Sequence, residues 1–542
     1  MTRKLIGVFP ASAANERARL FRALEAIFPV RFEGREPGQR TGLDAAMVLP
    51  GAVDPSGERP DVPTLIAFDD EDAHAQTRKR VDLSETASLD TRLRGHRVTE
   101  HTLGRLPQIP SERGVEVLAS CEGVPVFAYR PGRRAPTHLV SVAPRELTAM
   151  ECLRDRLREG RFLALLAWVH FLREVAGASL WRPPPLRAAF IFDDPNLHST
   201  SYGYLNFPEL ARHAAAHDYH LAFAMVPLDA WFAHPVSARL FRENTHRLSL
   251  LIHGNNHVKR ELAEPLSEPD RRALLAQALR RVADFERRTA ISVSRVMTPP
   301  HGACSREMME TMLLAGLEAI CISRSFPWLS RVPPGRPLTG WEIGDVAGGF
   351  PVLLRYGLSK PRAELVFRAF LDQPLLLYGH HQDLASGPEL LEEAAAMING
   401  FGGVTWTSLS AIAKSNFAVR RTDETFAVRL FTRRAQVEVP EGIRYLVLEA
   451  SGDPERAARA RVLCRDPSGT VSATLSERLP VSSPGTVEIS LVSSESFDLS
   501  EVANPSWQAW PILRKTAMEA RDRLLPIVHR IGRGRSRYSA PA

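Results

Sequence analysis

The spacing of apolar residues in the first 150 positions predicts an open α/β layer domain. Short apolar runs of strand length alternate there with polar stretches, and an amphipathic helical pattern covers Glu16–Phe28. The expected strands are Leu5–Phe9, Ala45–Leu49, Thr64–Phe68, Val115–Ser120, Val124–Tyr129 and Leu139–Ala143. Residues 151–185 are expected to form a helical linker that ends in a Pro-rich joint, Trp181–Pro185, and the first domain carries no motif that assigns it a role.

Between residues 186 and 418 the pattern changes to alternating strands and helices. Apolar runs typical of strands buried on both faces alternate with helical patterns such as Pro208–His217, Asp270–Thr289 and Arg306–Ala315. The expected strands are Ala188–Phe192, Ala222–Val226, Leu248–Ile252, a short run at Val296, Ile320–Ile322, Leu375–Tyr378 and Val404–Trp406. Repeated strand–helix units predict a parallel sheet or barrel, in which functional side chains gather at the carboxyl ends of the strands.

Residues 420–505 are rich in strand patterns and poor in helical ones. The expected strands are Phe426–Phe431, Gln436–Val439, Tyr445–Glu449, Arg461–Cys464 and Thr486–Val492. Turn residues separate them, which predicts a small β-sandwich. Residues 506–542 then predict a basic C-terminal helix or tail.

This C-terminal segment holds most of the charge excess of the chain. Residues 514–537 contain eight basic and two acidic residues, so they account for +6 of the net charge of +7. Apolar residues recur at helical spacing from Leu513 to Ile531, and Pro526 predicts a kink. We expect either a helix packed on its own protein or a peripheral anchor on an anionic inner membrane surface. The rest of the chain is nearly neutral and has no nucleic-acid-binding signature, so no nucleic-acid partner is expected.

Composition narrows the class of protein. A hydrophobic content of 44% with 24% charged residues is typical of a globular chain and excludes a disordered or multi-span membrane protein. Five widely spaced cysteines without CxxC indicate neither a disulfide framework nor a thiolate zinc site. The first apolar run is too short for a secretory signal, and the longest apolar window, Phe162–Leu172, falls short of the ~20 residues of a membrane span. We therefore expect a cytoplasmic location.

Two adjacent aspartates, Asp193 and Asp194, directly follow the first predicted strand of the 186–418 region, Ala188–Phe192. Buried carboxylates are costly unless a cation or hydrogen bonds hold them, so the pair is a candidate site. Taken alone, it is also compatible with ordinary loop and N-cap aspartates.

His253 and His257 follow another predicted strand and lie four residues apart. On a helical turn this spacing places both rings on one face, where they suit one metal ion, although an isolated HxxxH is frequent by chance. Asp194 and the two histidines together form an N2O donor set that suits Zn²⁺, with Fe²⁺, Co²⁺ and Ni²⁺ as alternatives.

Two more polar clusters, Thr298–Gly302 and His380–Asp383, also follow apolar runs. Four strand-end clusters that each carry His or Asp are difficult to explain as loop filler. Together they predict one metal-centred site at the carboxyl ends of the strands.

The order of these motifs resembles the polysaccharide deacetylase family, metal-dependent hydrolases of the chitin- and peptidoglycan-deacetylase type. The resemblance covers residues 186–416, and Pro388–Asn399 with Gly403–Leu409 is similar to that family's last helix and strand. It implies a distorted (β/α) barrel of deacetylase type, here preceded by the open α/β domain and followed by the small β-sandwich.

The resemblance also implies roles for individual residues. By position, the implied roles are general base for Asp193, metal ligand for Asp194, His253 and His257, and general acid for His380, with His381 as the alternative. Substrate or oxyanion contacts are expected from Asn196, from a backbone N–H near His301 and from Arg355, for which a surface position is the equal alternative. The expected cofactor is a divalent metal, Zn²⁺ in first place.

Three departures from the family pattern affect these roles. The usual Asp-Asp-Gly is here followed by Pro195 instead of glycine, and the tyrosine of the Pro-Pro-Tyr loop is His301. The arginine that precedes this loop in the family, and holds the base carboxylate, is Thr298. Trp341 or Asp345 is a weak match to the fourth motif, and structural packing is the favoured alternative for Trp341.

The implied function is hydrolysis of acyl groups, acetyl above all, on an amino sugar of a polysaccharide or lipid-linked glycan. The missing arginine motivates the alternative, a catalytically inactive deacetylase-like protein that binds carbohydrate or acts as a scaffold in polysaccharide assembly.

Overall fold

The computed structural model describes most of the chain as two compact units. The described residues are 3–36, 39, 41–52, 61–72, 77–104, 109, 114–323, 338, 340–360, 362–450, 461–466, 469–481, 484–492 and 496–537. The first unit comprises Met1–Arg182, Arg331–Glu342 and Pro361–Leu371, and the second Pro183–Ser330, Ile343–Lys360 and Asp372–Ala542. Residues 538–542 of the predicted C-terminal tail lie outside the described residues.

A mixed nine-stranded sheet forms the centre of the first unit. Its strands are β1 (Lys4–Phe9), β2 (Val30–Gly34), β3 (Ala45–Val48), β4 (Thr64–Asp70), β5 (Lys79–Leu83), β6 (Arg97–Glu100), β7 (Glu116–Cys121), β8 (Val124–Arg130) and β9 (Thr137–Ala143). Their order is β2-β1-β3-β4-β9-β8-β7-β5-β6, parallel from β2 to β9 and antiparallel beyond. All six predicted strands are present. The pattern missed β2, β5 and β6, in which charged residues interrupt short apolar stretches.

The helical sequence after this sheet is a core element of the first unit. The helices of the unit are α1 (Ala11–Glu16), α2 (Ala18–Ile27), α3 (Leu163–Ala176) and α8 (Ala363–Phe370). Helix α3, placed by the sequence in a linker, has ten buried residues, and the boundary between the units follows Arg182. The buried Glu100 carboxylate accepts the N–H groups of Phe162 and Leu163 at 2.7 and 2.9 Å, which caps the start of α3.

The second unit contains a closed (β/α) barrel. Its strands up to residue 406 are β10 (Arg187–Asp193), β11 (Ser201–Tyr202), β12 (Leu205–Asn206), β13 (Leu221–Met225), β14 (Leu248–Ile252), β15 (Val293–Met297), β16 (Ala319–Ile322), β17 (Asp345–Ala347), β18 (Phe350–Gly357), β19 (Leu375–Gly379) and β20 (Thr405–Trp406). The seven strands β10, β13, β14, β15, β16, β18 and β19 pair in parallel, and the barrel closes because β10 pairs with both β13 and β19. This part of the chain is therefore a (β/α) barrel, as the motif resemblance implied.

In the described part of this unit, six α-helices lie between or directly after the barrel strands. They are α4 (Phe207–Ala216), α5 (Pro235–Glu243), α6 (Glu268–Thr289), α7 (Arg306–Leu314), α9 (Glu389–Gly400) and α10 (Leu409–Lys414). Three of them, α4, α6 and α7, match helices that the pattern predicts. Inside the barrel lie small and branched side chains on alternate strand positions, including Ala189, Ile191, Ala222, Ala224, Leu251, Val296, Ala319, Leu353 and Leu376. This filling makes the barrel a packed core with its polar groups at one end.

A β-sandwich and a long helix complete the second unit. The two sheets have the orders β21-β22-β24-β27 and β23-β28-β25-β26 and enclose a common apolar core. Their strands are β21 (Phe417–Thr422), β22 (Thr425–Leu430), β23 (Arg434–Val439), β24 (Tyr445–Ala450), β25 (Arg461–Asp466), β26 (Gly469–Thr474), β27 (Arg478–Pro480) and β28 (Gly485–Val492). Helix α11 spans Ala509–Arg537. Among the described helices, none combines the length and the apolar character needed to cross a membrane.

Candidate active site

A buried ion pair occupies the carboxyl end of the barrel interior. Asp193 ends β10 two residues after the inward-facing Ile191, and Arg355 follows the inward-facing Leu353 on β18 by the same interval. The two terminal nitrogens of Arg355 each donate to one carboxylate oxygen of Asp193, both at 2.7 Å. The guanidinium also lies 4.2 Å from the ring centre of Tyr378. Strand alternation therefore brings the two charged side chains together.

This pair supplies the arginine that the loop sequence lacks. Burial raises the pKa of the Asp193 carboxyl, but the charges of Arg355 and His253 outweigh burial and hold it below its ordinary value. Arg355 was predicted to bind an anionic substrate group or to lie at the surface. Instead it is buried, and both of its terminal nitrogens serve Asp193.

The next residue, Asp194, faces two imidazole rings. Its Oδ1 lies 3.1 Å from Nε2 of His257 and 3.7 Å from Nε2 of His253. One ligand atom from each of the three residues lies within 4.8 Å of the other two. This Oδ1 is buried and accepts no hydrogen bond, which is the environment of an oxygen that binds a cation.

The two histidines present suitable nitrogens to such a cation. Nδ1 of His253 lies 2.8 Å from the carbonyl oxygen of Thr298 and donates its proton there, which leaves the lone pair on Nε2 facing Asp194. Burial, followed by the neighbouring His253, lowers the pKa of His257 to about 3, so its ring is neutral at physiological pH. Asp194, His253 and His257 therefore fit a divalent metal.

The segment between these histidines is a loop, whereas the spacing suggested a helical turn. It bends because Gly254 and His257 adopt left-handed φ values of 65° and 56°. One Glu261 oxygen accepts the backbone N–H groups of Asn255, Asn256 and His257 at 2.7, 3.1 and 3.0 Å. This carboxylate, which no sequence motif indicated, fixes the loop and brings the two rings to 4.9 Å between their centres.

His301 and His380 lie on the open side of the site. Both side chains are exposed, and the ring of His301 lies 5.4 Å from that of His257. The charge of His380 is among those that lower the pKa of both Asp193 and Asp194, which places His380 near both carboxylates. Of the two adjacent histidines, His380 is therefore the one exposed at the site, because His381 is buried.

Two residues predicted for the site, His381 and Asn196, are buried and contact other protein groups instead. His381 packs beside Tyr202 and Tyr204, and its Nε2 lies 3.5 Å from the Asp522 carboxylate. Asn196 is fully buried, and its side-chain oxygen accepts from the backbone of His198. The physical reason for both corrections is helix α11, which covers this part of the barrel end.

Helix α11 also brings a buried lysine to the site. Lys515 is 3% exposed, and its ammonium lies 3.2 Å from Oδ2 of Asp229 and 3.9 Å from Oδ1 of Asp194. Next to it, Arg514 donates to the backbone carbonyl of His257. The sequence analysis treated both residues only as part of a charge excess, because no motif links a C-terminal helix to a barrel loop.

Backbone strain is concentrated at this site. Ten non-glycine residues in the described part of the chain have a positive φ, and Asp194, His257 and His301 are three of them. Such conformations cost on the order of 1–3 kcal/mol each and cluster at functional sites. Trp341, by contrast, is buried in the first unit and packs structurally, as favoured from its sequence context.

Comparison with known proteins gives matches to solved structures only. No family profile and no curated protein matches the sequence. The carbohydrate deacetylase Agd3 is 9% identical, with 92% of this chain and 99% of that chain covered and a TM-score of 0.46. A family 4 carbohydrate esterase from Streptomyces lividans, in complex with acetate, is 12% identical over 44% of this chain and 100% of that chain, with a TM-score of 0.27. A CE4 family pseudoenzyme from Bacillus anthracis is 13% identical over 45% of this chain and 69% of that chain, again with a TM-score of 0.27.

The three structures are thus a carbohydrate deacetylase, a carbohydrate esterase and a pseudoenzyme of the CE4 family. All three TM-scores are below 0.5, so the functional argument rests on the side chains of the site.

Proposed function

We propose that this protein is a metal-dependent hydrolase that removes acetyl groups from an amino sugar of a polysaccharide or lipid-linked glycan. The observation that carries the proposal is the arrangement at one end of the barrel. A candidate base, Asp193, is paired with a buried arginine, directly beside a three-ligand cluster formed by Asp194, His253 and His257.

The two adjacent aspartates have different environments and therefore different tasks. A divalent cation on Asp194, His253 and His257 would polarise the acyl carbonyl and acidify a nearby water. Asp193 would accept the proton of the attacking water, because the guanidinium of Arg355 keeps its carboxylate ionised and oriented.

Two exposed positions complete the proposed chemistry. His380, near both carboxylates, would protonate the leaving amine of the sugar. The backbone around His301 would donate to the developing oxyanion, since its left-handed φ of 55° turns the chain beside the metal ligands.

The donor set and the thiols support two further parts of the proposal. One carboxylate and two imidazoles suit Zn²⁺ best, with Fe²⁺, Co²⁺ or Ni²⁺ as alternatives.

All five cysteines lie in the described part of the chain and none forms a disulfide, which is the usual state in a reducing compartment and supports a cytoplasmic location.

Acetate release from acetylated glycans tests the proposed activity. We expect wild-type protein loaded with Zn²⁺ to release acetate from partially acetylated chitosan or peptidoglycan fragments. The variant Asp193→Asn should lose about 10²–10⁴-fold in rate while retaining metal, because only the proton acceptor is removed. Asp423→Asn, on a left-handed turn of the β-sandwich, is the matched control and should keep the wild-type rate.

A catalytically inactive carbohydrate-binding protein is the alternative outcome. Metal binding without acetate release across glycans of both N- and O-acetyl type would favour it. Its motivating feature, the missing loop arginine, is weakened by the Arg355–Asp193 pair.

A further inference from the structure

Helix α11 packs on the barrel with its charged face inward. Lys515 and Asp522 on this helix are buried, and Tyr202 of the barrel donates to Asp522 at 2.9 Å. Glu519 lies one turn from each, and its Oε1 is 3.3 Å from Nδ1 of His198. Ion pairs and hydrogen bonds therefore hold this helix, where a packed amphipathic helix ordinarily buries its apolar stripe.

The apolar face of the same helix is consequently exposed. Fourteen large apolar side chains are exposed in the described part of the chain, and seven of them lie between Trp507 and Val528. These seven are Trp507, Trp510, Ile512, Leu513, Leu524, Ile527 and Val528. We call these seven residues the outer face of α11, although Trp507 lies two residues before the helix begins. Trp507, Trp510 and Leu513 are 79%, 64% and 64% exposed.

Two aromatic side chains of the barrel adjoin the helix. Trp231 packs against His198, the partner of Glu519, with ring centres 4.6 Å apart, and Phe232 follows it. Both are exposed. An outward set of Trp, Phe, Leu, Ile and Val of this extent is typical of a docking surface.

Charge decides which partner suits this surface. Arg514, Lys515 and Arg523 face the barrel. Residues 524–537 contain four further arginines and no acidic residue, so two copies of α11 laid face to face in parallel would bring two segments of +4 together. An anionic lipid surface, by contrast, attracts these arginines while the apolar side chains enter the boundary between headgroups and acyl chains. Tryptophan is enriched at this boundary because its ring is apolar and its N–H is polar.

We propose that the outer face of α11 docks the protein on the surface of an anionic membrane, with the helix lying in the plane of the interface. No described helix has the character of a membrane span, so the contact is peripheral. The inference stands apart from the proposed deacetylase activity, since it uses neither the metal ligands nor Asp193. If both hold, docking brings the barrel end next to membrane-linked glycans.

Vesicle co-sedimentation with the full-length protein tests the proposal. Vesicles of phosphatidylcholine with about one third phosphatidylglycerol should bind the wild type, and pure phosphatidylcholine should bind it at least about tenfold more weakly. The variant Trp507→Ser/Trp510→Ser/Leu513→Ser should lose at least about tenfold in binding to the anionic vesicles. A second variant, Leu524→Ser/Ile527→Ser/Val528→Ser, should lose binding likewise, so that the test does not depend on one set of substitutions.

Exposed apolar residues of the β-sandwich provide the matched control. Leu463→Ser/Val471→Ser/Val492→Ser removes three exposed apolar side chains that lie on strands of the β-sandwich and should bind vesicles as the wild type does. All variants are compared at equal helix content and melting temperature. Absence of wild-type binding, or binding at the wild-type level by either α11 variant, would overturn the proposal.

Analytical ultracentrifugation tests the other candidate partner of the outer face of α11, which is a second copy of the chain. A wild-type dimer that becomes monomeric in the α11 variants, without vesicle binding, would assign the outer face to self-association and overturn the membrane proposal. A protein whose oligomeric state is the same in wild type and variants, with vesicle binding lost only in the variants, supports it.

Discussion

The most informative single residue is Arg355, because it compensates for a departure from the deacetylase pattern. Thr298 takes the position of the arginine that holds the base in that pattern, yet Asp193 still has a bidentate guanidinium partner. The partner comes from β18, a different strand of the same barrel. The guanidinium partner of this carboxylate is thus retained from a different strand, since inward positions of neighbouring strands converge inside a barrel.

Substitution of Arg355 should change both the pH dependence of activity and the stability. Asp193 must be ionised to accept a proton, and Arg355 is the largest of the charges that lower its pKa. In Arg355→Met the pKa of Asp193 rises, so the acidic limb of the kcat/KM profile should move to higher pH. Urea unfolding should show a loss of about 3–5 kcal/mol, because the carboxylate is left buried and unpaired.

The double variant Arg355→Met/Asp193→Asn distinguishes this explanation from a general packing defect. It should recover most of the lost stability, since no buried charge remains, while staying inactive. Equal instability of the single and double variants would contradict the role of Arg355 as a positioning residue.

Gly254 tests the backbone geometry of the metal loop at the same scale. Its φ is +65°, and a Cβ here would lie 2.3 Å from Oε1 of Glu261 and 2.6 Å from Cγ of Pro300. Gly254→Ala should therefore displace the carboxylate that holds the loop, and metal affinity measured by titration should fall about 10–100-fold. Gly402 also has a positive φ, +74°, but open space around it, so Gly402→Ala should cost about 1–2 kcal/mol and leave metal affinity unchanged. Equal metal affinities in the two variants would contradict the role of the Glu261 carboxylate.

At the scale of elements, helix α11 is a case in which the sequence pattern predicts the helix but not the face that it buries. Its apolar spacing and its kinking Pro526 were evident in the sequence, and the helix is present from Ala509 to Arg537. Which face it buries was not evident, because a hydrophobic stripe ordinarily turns inward. The partners that reverse this preference, such as His198 and Tyr202, lie more than 300 residues away along the chain.

Docking of α11 on the barrel should depend on pH through His198 and Glu519. Both ring nitrogens of His198 have acceptors, Glu519 and the carbonyl oxygen of Asp229, which requires the protonated ring. Burial opposes this protonation, but the hydrogen bonds to Glu519 and Asp229 outweigh it and raise the pKa of His198. Burial likewise opposes ionisation of Glu519, but its bonds with His198 and Arg523 lower its pKa to about 2.

The directions of these two pKa shifts define the pH range in which α11 is held most strongly on the barrel. The His198 contribution is full below its free pKa of about 6.5 and is lost as pH rises through the raised value. The Glu519 contribution is full above its free pKa of about 4.3 and is lost as pH falls towards about 2. Hydrogen exchange of α11, corrected for intrinsic rates, should show highest protection between about pH 4.5 and 6.5. His198→Gln should abolish the decrease on the alkaline side, and a wild-type profile flat up to pH ~9 would contradict the account.

For the whole molecule, the sequence pattern predicted the main layers of the architecture but not every strand. Strand–helix alternation predicted a parallel sheet or barrel, and the family resemblance implied the barrel. Strand-length runs separated by turn residues predicted the sandwich. The polar strand ends predicted Asp193, Asp194, His253 and His257, which the fold brings to one end of the barrel. Glu261, Lys515 and Asp229 could not be predicted, because their roles depend on loop conformation and on contacts distant in sequence.

The central claim is that the fold assembles a metal site from two separate segments of the chain, which carry Asp194 and the pair His253 and His257. Metal content of the purified protein, measured by mass spectrometry after expression with Zn²⁺ and dialysis, tests it most directly. We predict about one metal ion per chain in the wild type and in His220→Gln, a buried histidine bound to Ser249, and less than about a tenth of that in His253→Ala. A metal-free wild type, or equal metal content in His253→Ala, would contradict the account.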